Sequence, residues 1–326
     1  MYRSILVPLD GSTFAEQALP VAADIAARAN ATLHLVLVHQ AMSVVAGPGE
    51  PVVLDPGIDE RRRGEEGGYL ARIQGLVARG DAVQVVSQVV EGPVADAVAH
   101  YAHAHAVDLV VMTTHGRGVF SRFWLGSVAD RLVRQLEQPL LLLRPEPSGG
   151  APRAPGFGRI LLMLDGSPHA EAMIDPSVQL AHTFAGELML VRIVERLTPI
   201  WLPLPGVAPV PDTDAMADRQ LEATRYLHEV ANRLRVRGVS VRTAVEIAPD
   251  PVSGITEFAQ RERMDVIALA THGHGGPVRF LLGSVADKLV RSATLPLLVW
   301  RPRLREKAQD PVLALNAVSD VFLSKG

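Results

Sequence analysis

The chain contains no cysteine, which removes disulfides, thiolate catalysis and cysteine-based zinc sites in one step. Charge of either sign is not in excess. Lys and Arg number 32 against 35 Asp and Glu, a net of −3, so no basic field is available for nucleic acid, and none is expected as a partner. No apolar run approaches the roughly eighteen residues of a membrane span. The opening MYRSILVPLD enters a strand pattern with no targeting signature, so the expectation is a cytoplasmic protein with no membrane partner. Familiar catalytic signatures are missing too. There is no GxxxxGK[ST] loop, no GxSxG and no HExxH, and no GxGxxG follows the first strand pattern; dedicated catalysis is not indicated, although slow ATP hydrolysis is compatible with the sequence.

What is present is one unit written twice. Residues 107–144 read as strand, glycine-rich loop, helix and strand, and they return at 264–301. Laying 113–134 over 270–291 gives 15 identities in 22 positions without a gap. With 326 residues, two domains of ordinary size are expected. The predicted boundaries are 1–145 and 158–302, with a Pro/Gly-rich linker at 146–157 and a tail at 303–326 of weak apolar periodicity.

Each unit alternates strand and helix. Short apolar runs at 4–9, 31–39, 83–90, 107–112 and 140–143 suit strands buried on both faces. Between them lie helical patterns at 14–30 and 59–79, one opening near Pro93, and a last pattern carried by Val128, Leu132, Val133 and Leu136. The second copy repeats the series from 159 to 300. Five strands alternating with helices predict a doubly wound parallel sheet in each unit, α/β and Rossmann-like in class. The Pro/Gly-rich excursions at 46–58 and 198–211 look too irregular to form an element.

Two features suggest chemistry. Gly116 and Gly118, then Gly126 and Ser127, precede a helix, and Gly273, Gly275, Gly283 and Ser284 repeat the spacing. Such a loop presents N–H groups and the positive end of a helix dipole, which suits phosphate. It serves equally well as a plain turn, with Ser127 as an N-cap. Asp10 and Asp165 each follow a first strand in an Asp-Gly-Ser sequence. They are either turn formers or carboxylates at the strand edge where open α/β sheets bind ligands.

At these residues the chain resembles the universal stress protein family in its tandem form. The family pattern is Gly, two residues, Gly, nine residues, Gly, then Ser or Thr. Here Thr113-Thr114-His115-Gly116 and Gly126-Ser127 match all but the first glycine, as do Ala270-Thr271-His272-Gly273 and Gly283-Ser284. The resemblance covers nearly the whole chain. It implies a fold like that of the adenine nucleotide alpha hydrolases, with the last strands of the two units paired antiparallel in an intramolecular pseudo-dimer. It also implies ATP, with Mg or Mn, in one or both units of a stress-response or regulatory protein. The adenine would lie along the backbone at Val38 and Ile193, and the ribose near Asp10 and Asp165. Phosphates would meet the glycine loops with His115 and His272. Pro8, Met112, Val128 and Val285 complete the implied binding set with Thr113 and Ala270. If the first motif position needs a positive φ, a β-branched Thr113 costs roughly 1 kcal/mol or more, while Ala270 obstructs less.

The competing reading is a protein-interaction scaffold of the kind that binds no nucleotide, with partners the sequence does not identify. A homodimer through exposed surfaces is also left open. His100, His103 and His105 near one helix make a metal site conceivable, but the second copy has no such cluster. Solvated histidines are the simpler reading, and no metal site is assigned.

Overall fold

The computed structural model describes residues 1–41, 43–45, 51–53, 56–78, 83–114, 125–145, 156–196, 213–271 and 282–302. The first unit runs β1 (Ser4–Leu9), α1 (Thr13–Glu16), α2 (Ala18–Ala29), β2 (Thr32–His39), β3 (Ser43–Val45), β4 (Pro51–Val53), α3 (Pro56–Val77), β5 (Gln84–Glu91), α4 (Val94–Ala104), β6 (Leu109–Thr113), α5 (Ser127–Gln135) and β7 (Leu140–Leu143). The second runs β8 (Arg159–Met163), α6 (Pro168–Ala172), α7 (Ile174–Phe184), β9 (Glu187–Glu195), α8 (Thr213–Val236), β10 (Ser240–Ala248), α9 (Pro251–Arg261), β11 (Val266–Ala270), α10 (Ser284–Ser292) and β12 (Leu297–Trp300).

Within each unit the five main strands are parallel, in the order β5-β2-β1-β6-β7 and β10-β9-β8-β11-β12. β7 and β12 then pair antiparallel, Leu142 with Leu297 and Leu140 with Val299, so the two sheets fuse into one of ten strands. The β7 edge of one unit and the β12 edge of the other thereby close each other, and β10 and β5 are the outer strands of the joined sheet. Alternation along the strands feeds two cores. Ile5, Val7, Leu33 and Leu35 face α2 and α3, whereas Leu6, Val36 and Val110 face α4 and α5. Each core continues into the second unit without a break.

The seam is cross-braced. Arg144, just after β7, donates to the carbonyls of Ala293 (2.8 Å) and Val290 (3.2 Å) at the end of α10. Arg301 does the same for Arg134 O at 2.5 Å, at the end of α5. Each unit's last arginine therefore neutralises the negative end of the other unit's last helix. Asp130 and Asp287 hold Arg134 and Arg291 within their own helices at 3.0 Å, and Arg291 also stands 3.6 Å from Asp130 across the seam. On the opposite face the Tyr2 hydroxyl donates to Pro176 O, and Arg28 stands over the Phe184 ring.

Several local expectations are corrected. The helix predicted over 14–30 is two helices with Gln17 between them. Pro20 lacks the N–H an unbroken helix needs, so the helix restarts with Pro20 in its first turn, and Pro176 occupies the same third position of α7. The stretch expected to be wholly irregular at 46–58 holds β4, which pairs with β3, Val44 opposite Val52; β-branched valines favour that short ladder. Phe157, placed in the linker, is fully buried and stands edge-on to Phe184 at 5.1 Å. The rest of the linker up to residue 155, the excursion at 198–211 and the tail from 303 lie outside the described residues.

Candidate functional site

In each unit the chain steps from β1 outward through β2 to β5, then returns to the other side of β1 as β6 and β7. That reversal, between β1 and β6 and again between β8 and β11, opens a crevice at the carboxyl ends of the strands. The β1–β6 register pairs Ile5 with Leu109; continued four and five residues it sets Leu9 beside Thr113 and Asp10 beside Thr114. The β8–β11 register pairs Ile160 with Val266 and, continued, sets Asp165 beside Thr271. The two strand-end aspartates therefore meet the entrances of the two glycine loops.

The ends of each loop are tied together. Thr114 N–H donates to Leu143 O at 2.9 Å, and Thr114 O accepts from Gly126 N–H at 2.8 Å. Thr271 makes the same pair of bonds, to Trp300 O at 3.0 Å and from Gly283 at 2.6 Å. Both threonines are buried. Gly126 and Gly283 are themselves the N-caps, with φ −59° and −57° and no side-chain cap. The expectation of Ser127 as N-cap is thus corrected: Ser127 and Ser284 are first helical residues, exposed at the helix mouth, because the extended backbone ends one residue earlier. The N-cap residue itself therefore offers no side chain to the first-turn N–H groups of Ser127-Val128 and Ser284-Val285.

Thr113 and Ala270 are the last residues of β6 and β11, opposite Leu143 and Trp300. Positive φ outside glycine occurs, among the described residues, only at Asn30, Ala106, Ala185 and Arg263. The conditional strain at Thr113 does not arise, since the first motif position is ordinary strand. Met112 precedes it, buried, and Pro8 lies in β1 opposite Val36. Val38 and Ile193 fall beyond the ends of the β1 and β8 ladders, which stop at Leu37 and Val191, and are paired only on the β5 and β10 side. Their inner backbone edges face the crevice. His115, Gly116, Gly118, His272, Gly273 and Gly275 lie outside the described residues.

Asp10 does work in a turn. Its Oδ1 accepts from Ser12 N (2.9 Å) and Ser12 Oγ (2.6 Å), and Ser12 caps α1. Asp165 accepts from Ser167 N at 2.8 Å, and Ser167 caps α6 ahead of Pro168. Gly11 and Gly166 carry φ +79° and +86°, a conformation that favours glycine there.

Two tyrosines that sequence reasoning passed over stand beside these turns. Tyr226 donates to Glu171 Oε1 at 3.1 Å. Burial, then the carboxylates of Glu171 and Asp165, push its phenol well above the ordinary range. Tyr69 is raised by burial, then Glu16 and Asp10. Tyr69-Leu70 and Tyr226-Leu227 are the same dipeptide in both copies, a signal hidden by the charges of the helices around them. Thr114 and Thr271 were likewise legible in the repeat.

The histidines divide. His105 stacks on Tyr101 at 3.9 Å, and His34 Nδ1 lies 3.0 Å from the Tyr101 hydroxyl; burial, then His105, lowers the pKa of His34. His103 is exposed beside Glu137. His105 stays exposed while it stacks on the aromatic face one turn before it.

The sequence profile of the universal stress protein family matches residues 1–144 and 156–301. A universal stress protein of Mycolicibacterium smegmatis is 28% identical over 204 residues, 61% of this chain and 63% of that protein. The match thus spans a little under two thirds of that relative's length. One of Mycobacterium tuberculosis is 26% identical over 222 residues, 68% of this chain and 67% of that protein. The crystal structure of a universal stress protein from Archaeoglobus fulgidus aligns with 91% of this chain and 98% of its own at a TM-score of 0.67 and 16% identity, a likeness of fold. With both units matched, the chain belongs to the universal stress protein family.

Proposed function

We propose that the protein binds an adenine nucleotide, ATP in the first instance, in the crevice of each unit and acts as a nucleotide-responsive regulator in the stress response. The adenine edge bonds the inner backbone at Val38 or Ile193. The ribose sits at Asp10 or Asp165. The phosphates take the open N-terminus of α5 or α10, where N–H groups and the helix dipole favour negative charge. One observation supports this reading above others: in both units a strand-end aspartate and a Gly-Ser helix start without a side-chain cap share the same crevice. Among the described residues no group of three His, Asp or Glu side chains is placed to hold a metal, so Mg or Mn arriving with ATP would be held chiefly by phosphate and water.

The scaffold reading draws on the turn duty of Asp10 and Asp165. Mass spectrometry of what the freshly purified protein releases on denaturation separates the two. ATP or ADP is expected. Gly126→Asp and Gly283→Asp should each remove one share of it, because Asp is a good N-cap and would fold its own carboxylate over the N–H groups a phosphate needs and set its charge against the phosphates, abolishing binding there at concentrations that fill the native site. No released nucleotide, together with no heat on adding ATP and magnesium, supports the scaffold instead.

A further inference from the structure

Beyond the loop and the aspartate, the second unit carries side chains at the end of β9 that the first does not have at the matched positions. A cavity of about 560 Å3 opens at the carboxyl end of β9, and Arg192, Ile193, Glu195, Arg196, Arg219 and Glu222 are among the residues that line it. Matched strand for strand, the first unit has Leu37, Val38, Gln40 and Ala41 at the four β9-side positions. Leu37 is buried core. On the long helix Arg62 and Glu65 match Arg219 and Glu222, so the added cations are Arg192 and Arg196.

Arg192 is held for use. Its guanidinium lies 5.5 Å from the centre of the Tyr226 ring, the tyrosine that borders Asp165. Its Nη1 comes within 3.8 Å of the position a Cβ on Gly166 would occupy, one residue past Asp165. Its side chain is only 23% exposed, while its ion-pair partner Glu222, 3.7 Å away, is 74% exposed. Such a pair is weak and mostly solvated on the acidic side, so Glu222 gives up the arginine at little cost. A partly desolvated guanidinium over the turn that follows the strand-end Asp165 is suited to a planar, doubly bonded contact with phosphate.

We infer that this cavity is an anion subsite of the second unit's nucleotide site, and that it takes a phosphate ester carried on a ribose hydroxyl. The inference rests on the nucleotide reading above. If Asp165 faces the ribose, Arg192 stands next to the same sugar, and an arginine near the ribose is how doubly wound sheets accommodate a ribose phosphate. The first unit, with Leu37 and Ala41 at the matched positions, takes the unmodified ribose.

The test confines binding to one unit at a time in the full chain. In Gly126→Asp protein, AMP, adenosine 2′,5′-bisphosphate, adenosine 3′,5′-bisphosphate and inorganic phosphate are titrated by calorimetry. One bisphosphate is expected to bind about tenfold more tightly than AMP, the size of one charge-assisted contact. Arg192→Leu should reduce that gain to less than about twofold, and Arg192→Lys, which keeps the charge without the fork, should retain less than half of it. Gly283→Asp protein, which leaves the first unit, should show no gain. The proposal is overturned if AMP binds and neither bisphosphate binds better, if the gain survives Arg192→Leu, or if inorganic phosphate alone binds as tightly as the bisphosphate. If neither AMP nor ATP binds, the nucleotide reading falls and this inference with it.

Discussion

The two units agree where the strands end and disagree beneath the long helix. Asp10 and Asp165, Thr114 and Thr271, Gly126 and Gly283, and Tyr69 and Tyr226 occupy the same places with the same bonds or neighbours. One level away, His39 is buried in the first unit with Nδ1 2.7 Å from Glu66 and Nε2 2.9 Å from Asp59. The matching positions of the second unit are Val194, Met216 and Ala223. A polar trio in one copy is an apolar trio in the other. A strand end and a helix can be held together by either chemistry, whereas the crevice is built with one set of groups. That contrast supports the proposal that the groups the two crevices share answer to a ligand, whereas the His39 position answers to packing.

Exchanging residues between the units sharpens the comparison. The largest effect is expected where the second unit uses glycine and the first alanine. A Cβ on Gly186 would stand 2.7 Å from Phe157 O and 2.9 Å from Gly158 O, backbone atoms that have little room to give. Gly186→Ala, which installs the residue found at Ala31, should cost about 2–3 kcal/mol in urea denaturation. An unchanged midpoint would show that the strand entrance is looser than its geometry implies.

The seam comes next. Arg144→Ala and Arg301→Ala each remove charged donors from helix-end carbonyls of the opposite unit, and each should cost about 2 kcal/mol. If the units unfold together, the two variants shift the same transition; two separate transitions would mean that the ten-stranded sheet does not couple them.

His39→Val leaves Asp59 and Glu66 facing an apolar side chain and should destabilise the fold by about 1–2 kcal/mol, less than for a fully buried pair because both acids are partly exposed. Adding Asp59→Met and Glu66→Ala should recover most of that loss, since the second unit already packs this way. The pH dependence follows from Asp59. The hydrogen bond to His39, then that to Arg63, holds its carboxyl below the usual value. Its contribution is therefore complete above about pH 4 and fades as pH falls through the lowered folded-state value. The stability difference between the native chain and Asp59→Met should shrink in acid over that range; a difference constant from neutral pH down would remove the ion pair from the account.

The smallest exchange concerns the helix ends. Asn30 and Ala185 both sit in the left-handed region, φ 52° and 48°. Asn tolerates it better than Ala. Ala185→Asn should gain, and Asn30→Ala lose, somewhat under about 1 kcal/mol in thermal melts.

Much of this architecture is legible in the sequence because strands buried on both faces leave uninterrupted apolar runs, and because the repeat checks every assignment against a second copy. Asp10 and Gly126 are visible as turn and loop chemistry for the same reason. Other features are not local. Nothing in the order of residues says that Arg144 would reach Val290, or that His39 would meet two acids 20 and 27 positions away. Ser127 reads as a cap because a serine after a glycine at a helix start looks like one, and only the backbone angles at Gly126 decide which residue holds that place. Arg192 escaped notice because it sits inside a strand otherwise read as apolar, where the contrast with Leu37 is the only sign.

The number of ATP molecules bound per chain at saturation tests the central claim most directly. With one crevice per unit, the account predicts about two in the native protein, about one in Gly126→Asp and in Gly283→Asp, and none in the double variant. A native value of zero, or a native value that neither substitution lowers, would contradict it.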